Sequence, residues 1–199
     1  KLSLAAATQR SAAVIIDTDY NRFAFLGVAG LRNYGILNDP GLNATITPAA
    51  TGTSSGTKWE TKTTKLIFDD ILSLFQQLVL QTAGKVRKDD KLIFAMSPET
   101  AVRLASATDF NVSVTKMMDG YFRNYTIVTA PEYTTTGGEL VQCIAVEIDG
   151  QETGVIGFNE KFFAFAPVRK TSSIVQKFRA GTYGAIIKAP AGVAGVLGV

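Results

Sequence analysis

The chain has 199 residues, 46% hydrophobic and 19% charged, with a formal net charge of +3. It contains no His and one Cys, which removes the commonest general base, the commonest metal ligand, any intrachain disulfide and any thiolate zinc site. Charge below the ~25% of an average domain, with a mean hydropathy of +0.16, leaves two explanations open: a large core, or surface that a second subunit covers.

Residues 4–26 read as a helix with Ala12/Ala13, Ile16, Tyr20 and Phe23 on one face and Gly27 as its stop. Lys1 to Ala5 faintly resemble a signal peptide, but the apolar run is too short and Gln9-Arg10 interrupt it. A first residue other than Met reads as a fragment, a processed product or a trimmed chain. Gly35, Gly41 and Asn38-Asp39-Pro40 carry turn chemistry, and residues 42–47 alternate like a strand.

Residues 48–58 (PAATGTSSGTK) are small, polar and Gly-rich, a flexible loop. Gly52, Gly56 and Lys58 suggest a phosphate loop, but the spacing fails. Three residues separate the glycines, Thr57 precedes Lys58, and Trp59 stands where Ser or Thr is needed.

Residues 64–84 (TKLIFDDILSLFQQLVLQTAG) form the clearest amphipathic helix, the stretch around which the rest is organised. Thr64 is the expected N-cap, and Gly84 the left-handed stop. Ile67, Ile71, Leu74, Phe75, Leu78 and Leu80/Gln81 make the apolar stripe. Phe68, Leu72 and Val79 lie off it, so the helix is expected between two layers, or between one layer and another subunit. Asp69 and Asp70 sit early, where the macrodipole favours them.

Residues 91–96 (KLIFAM) have strand length, and Ser97-Pro98 opens another helix. Helix, strand, helix within about forty residues is an α/β core. Residues 110–122 read as a short helix capped by Asn111 or Ser113, with Met117 and Met118 open to a core or a binding role. Strands follow at 125–130, 140–148, 155–158 and 162–166, with Asp149-Gly150 as a turn. Residues 171–178 alternate, Gly181 breaks the run, and 183–189 continues it. The tail AGVAGVLGV has so little side chain that it is expected to lie flat against another surface.

The residues assign no catalytic, cofactor-binding or metal site. Cys143, inside LVQCIAVEI, reads as a buried inert thiol. Adjacent Asp69 and Asp70 point about 100° apart on a helix and cannot share a proton. Asp89-Asp90 sits in a polar turn, and Glu132, Glu139, Glu147, Glu152 and Glu160 are scattered. A small α/β enzyme using carboxylates stays open as a minority reading. No stretch is long enough to span a membrane. The mild basicity permits contact with nucleic acid without arguing for it.

Asn21 to Leu42 (NRFAFLGVAGLRNYGILNDPGL) resembles part of the major capsid proteins of tailed bacteriophages and their prophage remnants, whose fold encapsulin shell proteins share. The approach to Trp59 with the helix after it, Leu92 to Leu104 (LIFAMSPETAVRL), and Arg179 to Val199 resemble further segments of that family in the same order. The resemblance implies an α+β fold with an axial α/β domain (61–165) and a peripheral domain contributed by 1–60 and 166–199, carrying a long spine helix and an elongated sheet. It implies a subunit that forms pentamers and hexamers of an icosahedral shell, contacting itself, packaged double-stranded DNA without sequence preference, a scaffold and a maturation protease, in a virion made in the bacterial cytoplasm. An encapsulin-like compartment is the alternative. The family's N-terminal arm and extended loop would precede the first helix here. The tail 185–199, the helix 64–83 and the loop 48–58 are the expected sites of contact or movement, and Gly35 and Gly184 are expected to be required for assembly.

Overall fold

In a computed structural model, residues 4–51, 56–107 and 112–199 are described. Gly52, Phe110 and Asn111, singled out above, lie outside them, as do Lys1 to Ser3. In chain order the elements are helices α1 (Leu4–Leu26) and α2 (Thr64–Gln81), strand β1 (Leu92–Met96), helices α3 (Pro98–Arg103) and α4 (Val114–Tyr121), then strands β2 (Tyr125–Thr129), β3 (Thr134–Thr135), β4 (Gly138–Ala145), β5 (Glu147–Ile148), β6 (Gln151–Glu152), β7 (Gly154–Ala164), β8 (Val168–Arg169), β9 (Ile174–Val175), β10 (Phe178–Ile187) and β11 (Val193–Leu197). They form two units, 1–40 with 154–187, and 41–153 with 188–199.

These boundaries differ from those drawn at 60 and 165. Residues 41–60 and the tail belong with the central unit because backbone hydrogen bonds hold them there. β11 pairs antiparallel with β4, and Ile46 bridges β11 in turn, its N–H donating to Gly195 O at 2.8 Å. The tail is therefore a core strand, with Ala194 and Val196 each 1% exposed. Its small residues are what a strand packed beneath α2 accepts. Residues 42–47 contribute only that single bridge.

The second unit is built on a sheet ordered β11-β4-β1-β2, with β3 pairing β4. β1 and β2 are parallel, and the other pairs are antiparallel. Ile67, Ile71, Leu74, Phe75 and Leu78 of α2 are buried as the spacing requires, and Phe68, Leu72 and Val79 pack at the margin of the same core. Leu80 departs from the stripe and is 67% exposed. Thr63, not Thr64, is the N-cap of α2, without a side-chain bond. Thr64 is instead buried beside Ser106 O. Gly84 takes φ +78° as expected. Ser97 caps α3, accepting from Thr100 N at 3.1 Å, and Ser113 caps α4. Asp149 and Gly150 both have positive φ, which suits the tight β5–β6 turn. One edge of the sheet is closed by residue 46. Among the described residues nothing pairs with the free edge of β2, YTIVT, which carries neither charge nor proline.

Asp70 is not a simple dipole partner. It is buried, and its Oδ2 accepts from Lys62 Nζ at 2.6 Å and Trp59 Nε1 at 2.9 Å. The pair pins the segment leading into α2, while exposed Asp69 points away, as adjacent helical positions must.

In the first unit, β7 and β10 make an antiparallel two-stranded ribbon with register shifts between Arg179 and Gly184. The two runs expected at 155–158 and 162–166 are one continuous strand. The run at 171–178 is only β9 and a turn, and Gly181 is a bulge inside β10 instead of its end. Ala12, Ile16, Tyr20 and Phe23 of α1 are half-buried as predicted, while Ala13 is exposed. Tyr20 Oη donates to Glu160 O (2.6 Å) and Lys161 O (2.8 Å), and accepts from Gly181 N (3.1 Å). It satisfies backbone groups that the bulge leaves unpaired. Gly184 has φ +74°, and a Cβ there would lie 2.9 Å from Asn33 Oδ1; a Cβ on Gly35 would run into the Phe25 carbonyl.

Three outcomes follow from this packing. Asp70→Asn is expected to cost about 3–5 kcal/mol by stranding the Lys62 charge, read as an earlier denaturant transition of the single Trp. Lys62→Met combined with Asp70→Leu should recover much of that loss. Burial pushes the Cys143 thiol up and keeps it protonated, so a maleimide should label it only after unfolding; rapid labelling of the folded chain would contradict the packing. Gly35→Val and Gly184→Asp should reduce folded yield before any assembly step, whereas Gly120→Ala, which meets open space in α4, should be neutral or slightly stabilising in a thermal melt.

Candidate assembly surfaces

The expected contact segments are mostly interior. The tail is a buried strand, and α2 exposes little apolar surface besides Leu80. In the loop, Gly56 to Trp59 are described and Trp59 is 3% exposed. Exposed apolar side chains instead concentrate on the ribbon and its distal hairpin. Ile156, Phe163, Phe165, Val168, Ile174 and Tyr183 range from 42% to 68% exposed.

Strand alternation explains the arrangement. Phe158, Phe162 and Phe178 turn toward α1. Phe158 meets Tyr20 edge-on at 5.1 Å, and Phe162 stacks on Phe178 at 5.4 Å. A cavity of about 390 Å³ lies there, lined by Val14, Ile16, Phe158 and Phe162. Phe163 points the other way. The Arg179 guanidinium lies 5.6 Å from its ring and 5.9 Å from that of Phe165, while pairing with Glu160 at 2.7 Å. Exposure is similar on the two sides: Phe158 and Phe162 are 38% and 40% exposed, Phe163 and Phe165 43% and 42%. A two-stranded ribbon is marginal in water by itself, and α1 covers its own side only in part.

The acidic residues take separate places. A cavity of about 430 Å³ in the second unit is lined by Glu60, Glu99 and Glu139 with Thr100 and Arg103. Glu60 pairs with Arg103 at 2.8 Å, and Glu139 accepts from Thr100 Oγ1 at 3.2 Å. Asp89 pairs with Arg123, Glu152 with Lys188, and Asp149 with Lys85. Among the described residues no group of three His, Cys, Asp or Glu is placed to hold a metal ion. Met118 is core and Met117 half-buried. Burial, with Asp119 accepting at 2.6 Å, raises the Tyr125 phenol, and burial raises Tyr133, whose hydroxyl donates to Gln142. No described helix is long and apolar enough to cross a membrane.

The exposed ribbon face is what the sequence reading missed. A signal for it was present: no Asp or Glu follows Glu160, yet six Lys or Arg do, marking the ribbon and the segment after it as a region apart.

No curated protein matches the sequence. Solved structures do share the fold. The capsid of Myoviridae phage XM1 is 11% identical with a TM-score of 0.77, covering 100% of this chain and 66% of that one. A virus-like particle from Pyrococcus furiosus is 10% identical with a TM-score of 0.58, covering 89% and 63%. A chain of Mycobacterium phage Che8 is 16% identical with a TM-score of 0.54, covering 98% and 63%. The chain thus spans just under two thirds of each of these. The expected α+β capsid fold is the one present, and residues 1–198 match the family described as Pa193 gp26 major capsid protein. The chain belongs to that family.

Proposed function

We propose that this protein is the structural subunit of an icosahedral bacteriophage shell, assembling with its own copies into pentamers and hexamers that enclose the genome. The family match over residues 1–198 carries the reading. The exposed apolar side chains of the ribbon support it, because a subunit of a closed lattice keeps apolar surface for its neighbours. The central unit, with α2 over the β11-β4-β1-β2 sheet, corresponds to the axial domain, and α1 with the ribbon to the peripheral domain. The work is mechanical and needs no catalytic group, cofactor or metal. Scaffold, maturation protease and packaged double-stranded DNA are the further partners, and synthesis takes place in the host cytoplasm. An encapsulin-like shell around protein cargo is the second reading; the virus-like particle from Pyrococcus furiosus shares the fold.

Light scattering with negative-stain microscopy on the full-length polypeptide should give closed shells or rings of five or six. A monomer that persists at high concentration and salt would overturn the reading. Phe163→Asp should suppress assembly while leaving the Trp59 unfolding transition in place.

A further inference from the structure

The sheet of the second unit ends on β2 at one side and on residues 45–47 at the other. At the β2 side, Leu92 N donates to Asn124 O and Ala130 N to Met96 O. Alternate residues of β2 therefore face β1, and the backbone N–H and C=O of Tyr125, Ile127 and Thr129 point outward. Among the described residues no backbone group meets them. Charge, proline or a covering element normally protects such an edge. YTIVT has no charge and no proline, and beside it lies a cavity of about 540 Å³ lined by Asp119, Phe122, Tyr125 and Ile127.

At the other side, Ile46 N donates to Gly195 O, and Ile46 O accepts from Leu197 N. Ile46 is thereby spent on β11, and the backbone groups of Thr45 and Thr47 turn away from the sheet. They too meet no backbone partner among the described residues. Residues 42–47 (LNATIT) are likewise free of charge and proline.

The two edges match in direction. β1 and β2 are parallel, β4 opposes β1, β11 opposes β4, and Ile46 is parallel to β11. Residues 45–47 therefore run the same way as β2. They match in face as well. Ile46 and Ile127 both pack against the core, whereas Thr45, Thr47, Thr126 and Val128 are exposed. A second copy with its residues 45–47 laid along β2 continues the sheet as a parallel pair, core-facing residues beside core-facing residues. With its Ile46 opposite Ile127, Ile127 N donates to Thr45 O of the second copy, and Ile127 O accepts from Thr47 N of that copy.

We infer that these edges are the two halves of one contact, in which residues 45–47 of each copy add a strand to β2 of the next. Each copy gives one edge and accepts the other, so the contact is heterologous and closes into a ring or runs on as a filament. The inference rests on the shell reading, which supplies closure at five or six, and it names the backbone that joins neighbours within a ring.

Directly opposite residues of neighbouring strands have Cα atoms about 4.8 Å apart, inside the ~4.4–6.8 Å that a disulfide spans. Thr47→Cys/Val128→Cys in the full-length chain, oxidised during assembly and run on a non-reducing gel, should give a ladder that ends at five or six subunits. Cys143 is buried and stays out of the reaction. Each single variant should run as a monomer, and so should Thr47→Cys/Val102→Cys, whose second thiol lies on α3. Thr129→Pro removes an outward N–H and no bond to β1. It should lower the assembled fraction at least fivefold by light scattering, with the Trp59 unfolding midpoint unchanged. If that variant melts early, Val128→Lys places a charge on the same edge and carries the same expectation. Dimers from Val128→Cys alone would mean that β2 pairs with its own copy and would overturn the inference. So would shells that give no ladder from Thr47→Cys/Val128→Cys or from Thr45→Cys/Val128→Cys, the adjacent register. So would edge variants that fold and assemble at wild-type yield. A ladder from a chain that never closes into shells would sink the shell reading and leave the edge contact standing.

Discussion

A two-stranded ribbon is marginal in water by itself, and helix α1 braces this one along a single face. α1 lies against Phe158, Phe162 and Phe178, and Tyr20 closes the bulge at Gly181 with three hydrogen bonds. On the other face Phe163 and Phe165 are exposed beside Arg179. Much else in the first unit is tuned to that geometry. The positive φ of Gly184 and the Asn33 contact beneath it hold the α1 turn against β10, and the register shifts leave the gap that Tyr20 fills.

The central unit solves the opposite problem. α2 buries its stripe on a sheet whose last strand arrives from the far end of the chain, and the segment before α2 is tethered by Trp59 and Lys62 on one oxygen of Asp70. A buried ion pair contributes little net stability against an apolar replacement. Its value here is positional: it sets where the Gly-rich loop hands over to the helix, and that junction stays put whatever the loop does.

The elements most legible in the sequence are those whose cause is local. The α2 stripe, the Ser97-Pro98 start, the Asp149-Gly150 turn and the half-buried face of α1 follow from periodicity and capping alone. What escaped the reading depends on distant partners. Asp70 looks like a dipole residue until Lys62 and Trp59 are brought to it. The AGVAGVLGV tail looks like a surface strip because its small residues carry little hydrophobic signal, whereas β4 and α2 leave room for little else. Gly181 looks like a strand end because bulges insert a residue without ending the pairing. The capsid likeness was legible through collinear short motifs. The boundaries between units were not, because no composition shift marks residues 40, 153 or 187.

Those three crossings have a consequence for biosynthesis. α1 finds its partner strand only when residues 178–187 appear, more than 150 residues later. The central sheet likewise waits for β11 near residue 197. Neither unit can finish by closing local contacts, so the fold closes slowly and only once β10 and β11 have both been made. A polypeptide interrupted before those strands leaves α1 without its partner and the central sheet without β11, so discontinuous topology ties the folding of both units to synthesis through β11.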